Sequence, residues 1–453
     1  MHTANKLLWA AGLATFSLLI ILFTHTQVTP RLLSEFHSSG FASKKYHRPQ
    51  EPVWIEEKFL TYLPHSGLHN QRIALINAMV LAKALNRTLI MPELNIGKAN
   101  FWHPSHKLAH HLDQCVGRNR TPANSLAAGC REYRRYSPVP VDTMFDLTPA
   151  YYSGVRLLQR LDMNLNYFKR FWSVPDDHVF YVDDFSRFSY RVYDSRQNTM
   201  PLLNYQERID MEDLQNRPEP FLVFGSLFGS HRLALDRPEL RWLWNYLFRE
   251  MGMSYPAVTE QALQVVAKLG GPGEFASVHL RQGDGIFKTT MAQTMDVVRG
   301  NLTLATPNEE KSTEDDTTIE KLNKLREANR YEDLLNMCQT VKRTNNPRLH
   351  IIFMATDAPQ PRLTLQYLFD EFVCLFSLSD FPNVMATTAS LTATPLAPHN
   401  EQSTYPVRFG SLLLPLIDAE IASHASFFVG TPKSTFSKYI QHRNDRFQAL
   451  YGQ

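Results

Sequence analysis

Two short strands flanking one apolar helix, within residues 58–91, constrain this chain more than any other feature. Lys58 to Pro64 (KFLTYLP) has the aromatic and apolar make-up of a strand, and His65-Ser66-Gly67 reads as its turn. From Leu68 or His69 a helix is expected to run to about Leu85, with Ile73, Ile76, Val80 and Ala84 as its buried stripe. Thr88 to Met91 follows as a second strand ahead of Pro92. The result is a β-α-β unit, the element from which parallel α/β sheets are built. Its helix opens with His69-Asn70-Gln71-Arg72, polar groups where free backbone N–H groups and the helix dipole favour an anion. Asn70 can equally be read as a helix N-cap. The dinucleotide fingerprint GxGxxG is absent, so this first loop is not that of a nicotinamide- or flavin-binding unit.

A second strand-and-turn stretch, Glu274 to Lys288 (EFASVHLRQGDGIFK), carries the candidate chemistry. Phe275, Ser277, His279 and Arg281 alternate with Ala276, Val278 and Leu280, the pattern of a strand buried on one face. His279 and Arg281 then point to the same side at the strand's carboxyl end, where open α/β sheets bind ligands. A planar guanidinium in that place suits a phosphate. The structural alternative is an ordinary salt bridge to a neighbouring helix.

Further along, Arg348 to Ala355 (RLHIIFMA) reads as a buried strand ending in Thr356-Asp357. A carboxylate in the position of Asp357 can hold a ribose hydroxyl, orient a basic group or cap a helix. Leu412 to Ser423 reads as a helix and Ser426 to Val429 as a strand, and Gly430-Thr-Pro-Lys-Ser-Thr-Phe-Ser opens a last helix. Lys433-Ser434-Thr435 is like the end of a phosphate-binding loop, but Pro432 stands where the nucleoside-triphosphatase pattern needs Gly. What remains is a helix N-terminus with two hydroxyls and an ammonium, suited to a diphosphate.

The 453 residues are enough for two domains, and a formal net charge of +3 without a basic stripe gives no case for nucleic acid. Residues 7–23, LLWAAGLATFSLLIILF, contain no charged side chain and would span roughly 25 Å as a helix. No small-x-small cleavage site follows Phe23, so an uncleaved signal-anchor is expected. Residues 1–6 are then a cytoplasmic tail, 24–50 a stem, 51–253 an N-terminal Rossmann-like domain and 254–453 a C-terminal one. Four cysteines and three sequons, at Asn86, Asn119 and Asn301, point to a lumenal main domain. A Cys115–Cys130 disulfide is expected, with Cys338 and Cys374 as a candidate second pair. Residues 98–150, with His103, His106, His110 and His111, read as an irregular polar loop, since their spacing fits no usual zinc pattern. Residues 301–330 read as a solvated acidic insertion before a helix, and 387–408 as a long loop.

With these segments in hand, the chain resembles the GDP-fucose protein O-fucosyltransferase family, GT-B-type relatives of the α1,6-fucosyltransferases. The likeness rests on YLPHSGLHNQRIALINAMVLAKALNRTLIMPEL (62–94), SVHLRQGD (277–284), IFMATD (352–357) and DAEIASHASFFVGTPKSTFSKYIQHRND (418–445). It implies two Rossmann-like domains facing a cleft, GDP-fucose as donor, a protein or glycan hydroxyl as acceptor, and no bound metal or other cofactor. By that resemblance Arg281 contacts the β-phosphate and His279 the nucleotide. Lys433, Ser434, Thr435 and Phe436 bind phosphate and neighbouring groups, with Asp357 and Asp418 also on the donor side. Asn70 lies near the transferred sugar as a catalytic residue. Relatives often carry two acidic residues in the last segment; Asp418 fits the first, while Ser426 occupies the second and leaves the purine open. Some place a Glu in the first loop as base; here His65 or His69 stands in that loop. The expected home is the Golgi or endoplasmic reticulum membrane. Another nucleotide-sugar transferase of this fold, or a non-catalytic glycan-binding relative, is the alternative.

Overall fold

The computed structural model describes residues 57–97, 102–115, 136–160, 163, 166–283, 287, 292–293, 296–297, 300, 313–341, 347–393, 407–408 and 410–451. The expected anchor at 7–23, the stem, Asn119, Asn301 and the Cys115–Cys130 pairing lie outside what is described. Among the described residues no helix is long and apolar enough to cross a membrane.

Residues 54–453 form one compact unit that holds two parallel sheets. The first contains β1 (Phe59–Tyr62), β2 (Thr88–Met91), β3 (Leu157–Gln159), β4 (Val179–Val182) and β5 (Phe221–Phe224), in the order β3-β2-β1-β5-β4. All its pairings are parallel. The second contains β6 (Ala276–Leu280), β7 (Ile352–Thr356), β8 (Leu375–Ser377) and β9 (Phe428–Gly430), in the order β8-β7-β6-β9, again all parallel. A three-stranded sheet of Tyr190–Tyr193, Glu207–Asp210 and Leu233–Ala234 is a smaller addition.

The helices follow from the crossovers that parallel strands require. The principal ones are α1 (Leu68–Ala84), α2 (Ser105–Cys115), α3 (Pro238–Glu250), α4 (Pro256–Lys268), α5 (Thr313–Glu327), α6 (Tyr331–Val341), α7 (Pro382–Ser390), α8 (Leu414–Ser423) and α9 (Thr435–Tyr451). α1 is buried on nearly every side, between the first sheet, α3 and α9, so the single stripe expected for it is only part of its contact surface. α9 leaves the second sheet and crosses to the first. His442 meets Phe248 edge-on at 4.5 Å, and Arg446 pairs with Glu250 at 2.7 Å.

Three stretches expected as loops are corrected. Residues 105–115 form α2, because Leu108 and Leu112, one turn apart, are both buried while His106 and Lys107 face outward. Within the 301–330 insertion, residues 313–327 form α5. Residues 382–390 form α7, started by Pro382 and anchored by buried Val384 and Thr388.

Cys338 of α6 and Cys374, just before β8, are joined by a disulfide (S–S 2.03 Å) in the interior, closing the insertion between β6 and β7 onto the sheet.

Candidate functional site at the carboxyl edge of the second sheet

β6 lies between β7 and β9, with His279 opposite Ala355 and Gly430. All five of its residues are buried. The one-sided burial expected from its alternation is therefore corrected: an inner strand of a parallel sheet is covered on both faces. His279 points into that cover, and its Nδ1 pairs with Ser437 Oγ at 2.7 Å. Gly430 makes the approach possible, since a Cβ there would sit 2.7 Å from Ser437 Cβ. Burial first, and the Arg281 charge second, hold the imidazole down to a pKa of about 3. His279 is a neutral, fixed hydrogen-bonding group.

Arg281 is the first residue past the strand, and the backbone is held from both neighbouring strands, at 281 on one side and at 282–283 on the other. On the β9 side its N–H donates to Thr431 Oγ1 (3.1 Å), and that hydroxyl donates to His279 O (2.8 Å). On the β7 side Asp357 accepts from the N–H groups of Gln282 (2.6 Å) and Gly283 (2.9 Å). A Cβ at Gly283 would come within 2.7 Å of that carboxylate. The guanidinium lies over the Phe287 ring at 4.7 Å. Of the sequence alternatives for Asp357, its contacts are those of a group orienting the loop that carries the basic residue. Ser434, buried, accepts from the Ser437 N–H (3.2 Å) and so caps α9, while its own N–H donates to Thr431 O (3.2 Å). Lys433 is exposed at φ +63°, and Thr435 and Phe436 are half-buried on the first turn of α9.

The opening of α1 faces this edge differently from expectation. Gly67, and not Asn70, occupies the cap position. Gln71 bonds both N–H and C=O of Asn95, and Arg72 donates to Met251 O and Phe248 O, so neither is an anion ligand. Asn70 Nδ2 donates to Ser66 Oγ at 2.7 Å, with Ser66 held at φ +72°. His69 is drawn into α9: its ring stacks on Tyr439 (4.3 Å, 29°) and meets Phe436 edge-on (4.9 Å), which in turn lies 4.6 Å from His279. Asn70 Oδ1 and both His69 ring nitrogens are buried without a hydrogen-bond partner. His65 sits farther inside the first sheet, 3.4 Å from Ser226 Oγ. Burial is the main cause holding both His65 and His69 to a pKa of about 3, with Arg232 and Arg72 adding to it respectively. That argues against either as a general base, because so weakly basic an imidazole takes no proton near neutrality.

These imidazoles make stability depend on pH. Their folded pKa values lie below the usual 6.5, so below pH 6.5 the unfolded chain binds protons the folded chain refuses. Stability is then lost by about 1.4 kcal/mol per imidazole for each pH unit, from 6.5 down toward 3. Asp418 has the opposite sign, its carboxyl being raised by burial, so that protonation at lower pH favours the fold. His69→Phe isolates one term. Its melting temperature should fall less than that of the unmodified chain between pH 7.5 and 5.5. A parallel fall in both would show that His69 is protonated in the folded chain.

Asp418 is buried on α8 with Oδ1 unpartnered. α8 runs antiparallel to the strands, so its early turns lie toward the carboxyl edge. Ser426 does not: it precedes β9 and bonds Phe275 O at the amino edge. The side chain at 426 thus lies at the opposite edge of the sheet from Arg281. Thr431, Ser437 and Tyr439 were not singled out in the sequence. Only Thr431, in Gly-Thr-Pro after a strand, carried a local signal.

Among the described residues no group of three or more His, Cys, Asp or Glu could hold a metal ion, and the His103 and His111 rings meet edge-on at 5.5 Å.

No family model matches the chain. A curated relative, O-fucosyltransferase 30 of Arabidopsis thaliana, is 33% identical over 84 residues, which is 18% of this chain and 17% of that protein. The chain thus matches about a sixth of that relative's length. Among solved structures, POFUT1 in complex with GDP-fucose gives a TM-score of 0.38 at 13% identity, covering 88% of this chain and 96% of that one. NodZ α-1,6-fucosyltransferase co-crystallised with GDP gives 0.38 at 12%, covering 85% and 92%. Over those 84 residues the chain is similar to an O-fucosyltransferase.

Proposed function

We propose that the chain is an inverting glycosyltransferase that moves fucose from GDP-fucose to a hydroxyl of a protein or glycan acceptor. In this reading it is a single-pass type II protein of the Golgi or endoplasmic reticulum membrane, with residues 51–253 on the acceptor side and 254–453 on the donor side. The observation that carries the reading is Arg281, clamped by Thr431 and Asp357 at the end of an inner parallel strand and linked through Thr431 to the capped start of α9. The buried Cys338–Cys374 disulfide supports an oxidising compartment.

In such a transfer the bond from the sugar's anomeric carbon to the diphosphate oxygen breaks, and one to the acceptor oxygen forms. The acceptor proton leaves to water, and GDP departs with added negative charge. Fixed donors aimed at that charge supply the largest catalytic term. Arg281, the Lys433 ammonium and the first-turn N–H groups of α9 are those donors. Asp418, with an unpartnered buried oxygen, suits the paired N–H groups of a guanine edge. Asn70, with Oδ1 unpartnered, is assigned to the sugar in this reading.

The test is GDP release from GDP-fucose by the full-length chain, with and without acceptor glycopeptides. Since protein cations serve the diphosphate here, release is expected to persist in EDTA. Activity lost on chelation and restored by manganese would overturn the site assignment.

A further inference from the structure

A second fixed cation, the half-buried Arg362, stands past the carboxyl end of β7 and outside the site above. At the carboxyl ends of β7 and β8, a surface depression of about 320 Å³ is lined by Tyr331, Gln360, Arg362, Leu363, Ser379 and Asp380, together with Pro361. Arg362 is held in one pose from three directions. Its Nε donates to Asp380 Oδ1 at 2.7 Å, and its guanidinium lies 4.0 Å from the Tyr331 ring centre and 4.5 Å from that of Phe369. Asp380 is itself anchored, since its Oδ2 accepts from the Ser377 N–H at 2.8 Å, and its side chain is only 2% exposed. The two terminal nitrogens of Arg362, Nη1 and Nη2, are buried and have no hydrogen-bond partner.

A buried donor without an acceptor is costly, and here four N–H bonds of one planar fork are in that state. Ring faces compensate only part of that cost. A bulk water does not reach either nitrogen. An acceptor therefore reaches them only where a lining side chain moves aside. Leu363, 69% exposed, and Gln360, exposed at φ +45°, are the two that can yield without disturbing the core.

We propose that this depression is a carboxylate-binding subsite, with Arg362 Nη1 and Nη2 as its bidentate donors and the Ser379 hydroxyl beside them. Shape and charge both select the ligand. A carboxylate presents two coplanar oxygens to the fork. Asp380 already balances the guanidinium charge, so a phosphate dianion would leave excess negative charge in a partly closed site, whereas a monoanion adds the least. Pro361, Leu363 and Tyr331 give an apolar wall against which the body of a small organic acid or an acidic sugar ring can rest.

The experiment is a calorimetric titration of the full-length chain with acetate, glucuronate, glucose and inorganic phosphate at constant ionic strength. Glucuronate is expected to bind, glucose not, and phosphate more weakly than glucuronate. Acetate binding as tightly as glucuronate assigns the subsite to the carboxylate alone; weaker acetate adds the sugar ring. Arg362→Lys keeps the charge and the stem but not the fork, and should weaken glucuronate at least about tenfold with little change in melting temperature. Arg362→Gln should abolish it. Glucuronate that fails to bind, or binds the Lys and Gln variants as it binds the unmodified chain, overturns the proposal and leaves Arg362 a purely structural cation–π element. GDP binding is independent of this outcome, so failure here does not bear on the donor site.

Discussion

Arg281→Lys is expected to fold with a near-unchanged melting temperature, to retain GDP binding, and to turn over at least about 10²-fold more slowly. The backbone of residue 281 is fixed by Thr431 and, through the next two residues, by Asp357, and neither contact uses the side chain. The substitution removes the fork while these backbone contacts remain. Lysine keeps the charge but cannot present two coplanar donors to a phosphate. Because charge on the departing diphosphate grows in the transition state, the loss should fall on kcat more than on donor KM. A lysine variant with nearly full turnover, or one inactive only because it unfolds, would make Arg281 a structural residue.

Removing the Cys338–Cys374 bridge is the largest stability change expected. The two cysteines are 36 positions apart, and by the chain-entropy model closing such a loop contributes about 4 kcal/mol. Both sulfurs are buried, so reductant reaches them slowly and the paired Cys338→Ala, Cys374→Ala variant is the better probe. Its melting temperature should fall by several degrees, with the unfolding midpoint in urea shifted to match. An unchanged midpoint would mean that α6 and β8 are held together by packing alone.

The parts of the fold legible in the sequence were those whose neighbours are close in the chain. β1, α1 and β2 have turn residues and apolar runs at local spacing. So do β4 and β5. α2 and α7 were missed because each rests on only two buried anchors amid polar residues. The site divides the same way. His279 and Arg281 were readable from alternation and a following turn. The targets of Asp357, the burial of His69 against Tyr439 and the edge on which Ser426 sits all depend on partners far along the chain, which no local pattern encodes. Arg362 gave no signal at all, since its partner Asp380 and its covering ring Tyr331 lie on other elements.

The central claim, that the carboxyl edge beside Arg281 holds a guanosine diphosphate sugar, is tested most directly by thermal melting with nucleotides. GDP and GDP-fucose should each raise the melting temperature of the full-length chain in EDTA, by an amount corresponding to about 2.7 kcal/mol at 100 times the dissociation constant. UDP, ADP and their sugars should not, and the shift with GDP should shrink in Arg281→Ala. A shift with UDP- or ADP-sugars and none with GDP, or a GDP shift unaffected by removal of Arg281, would contradict the account.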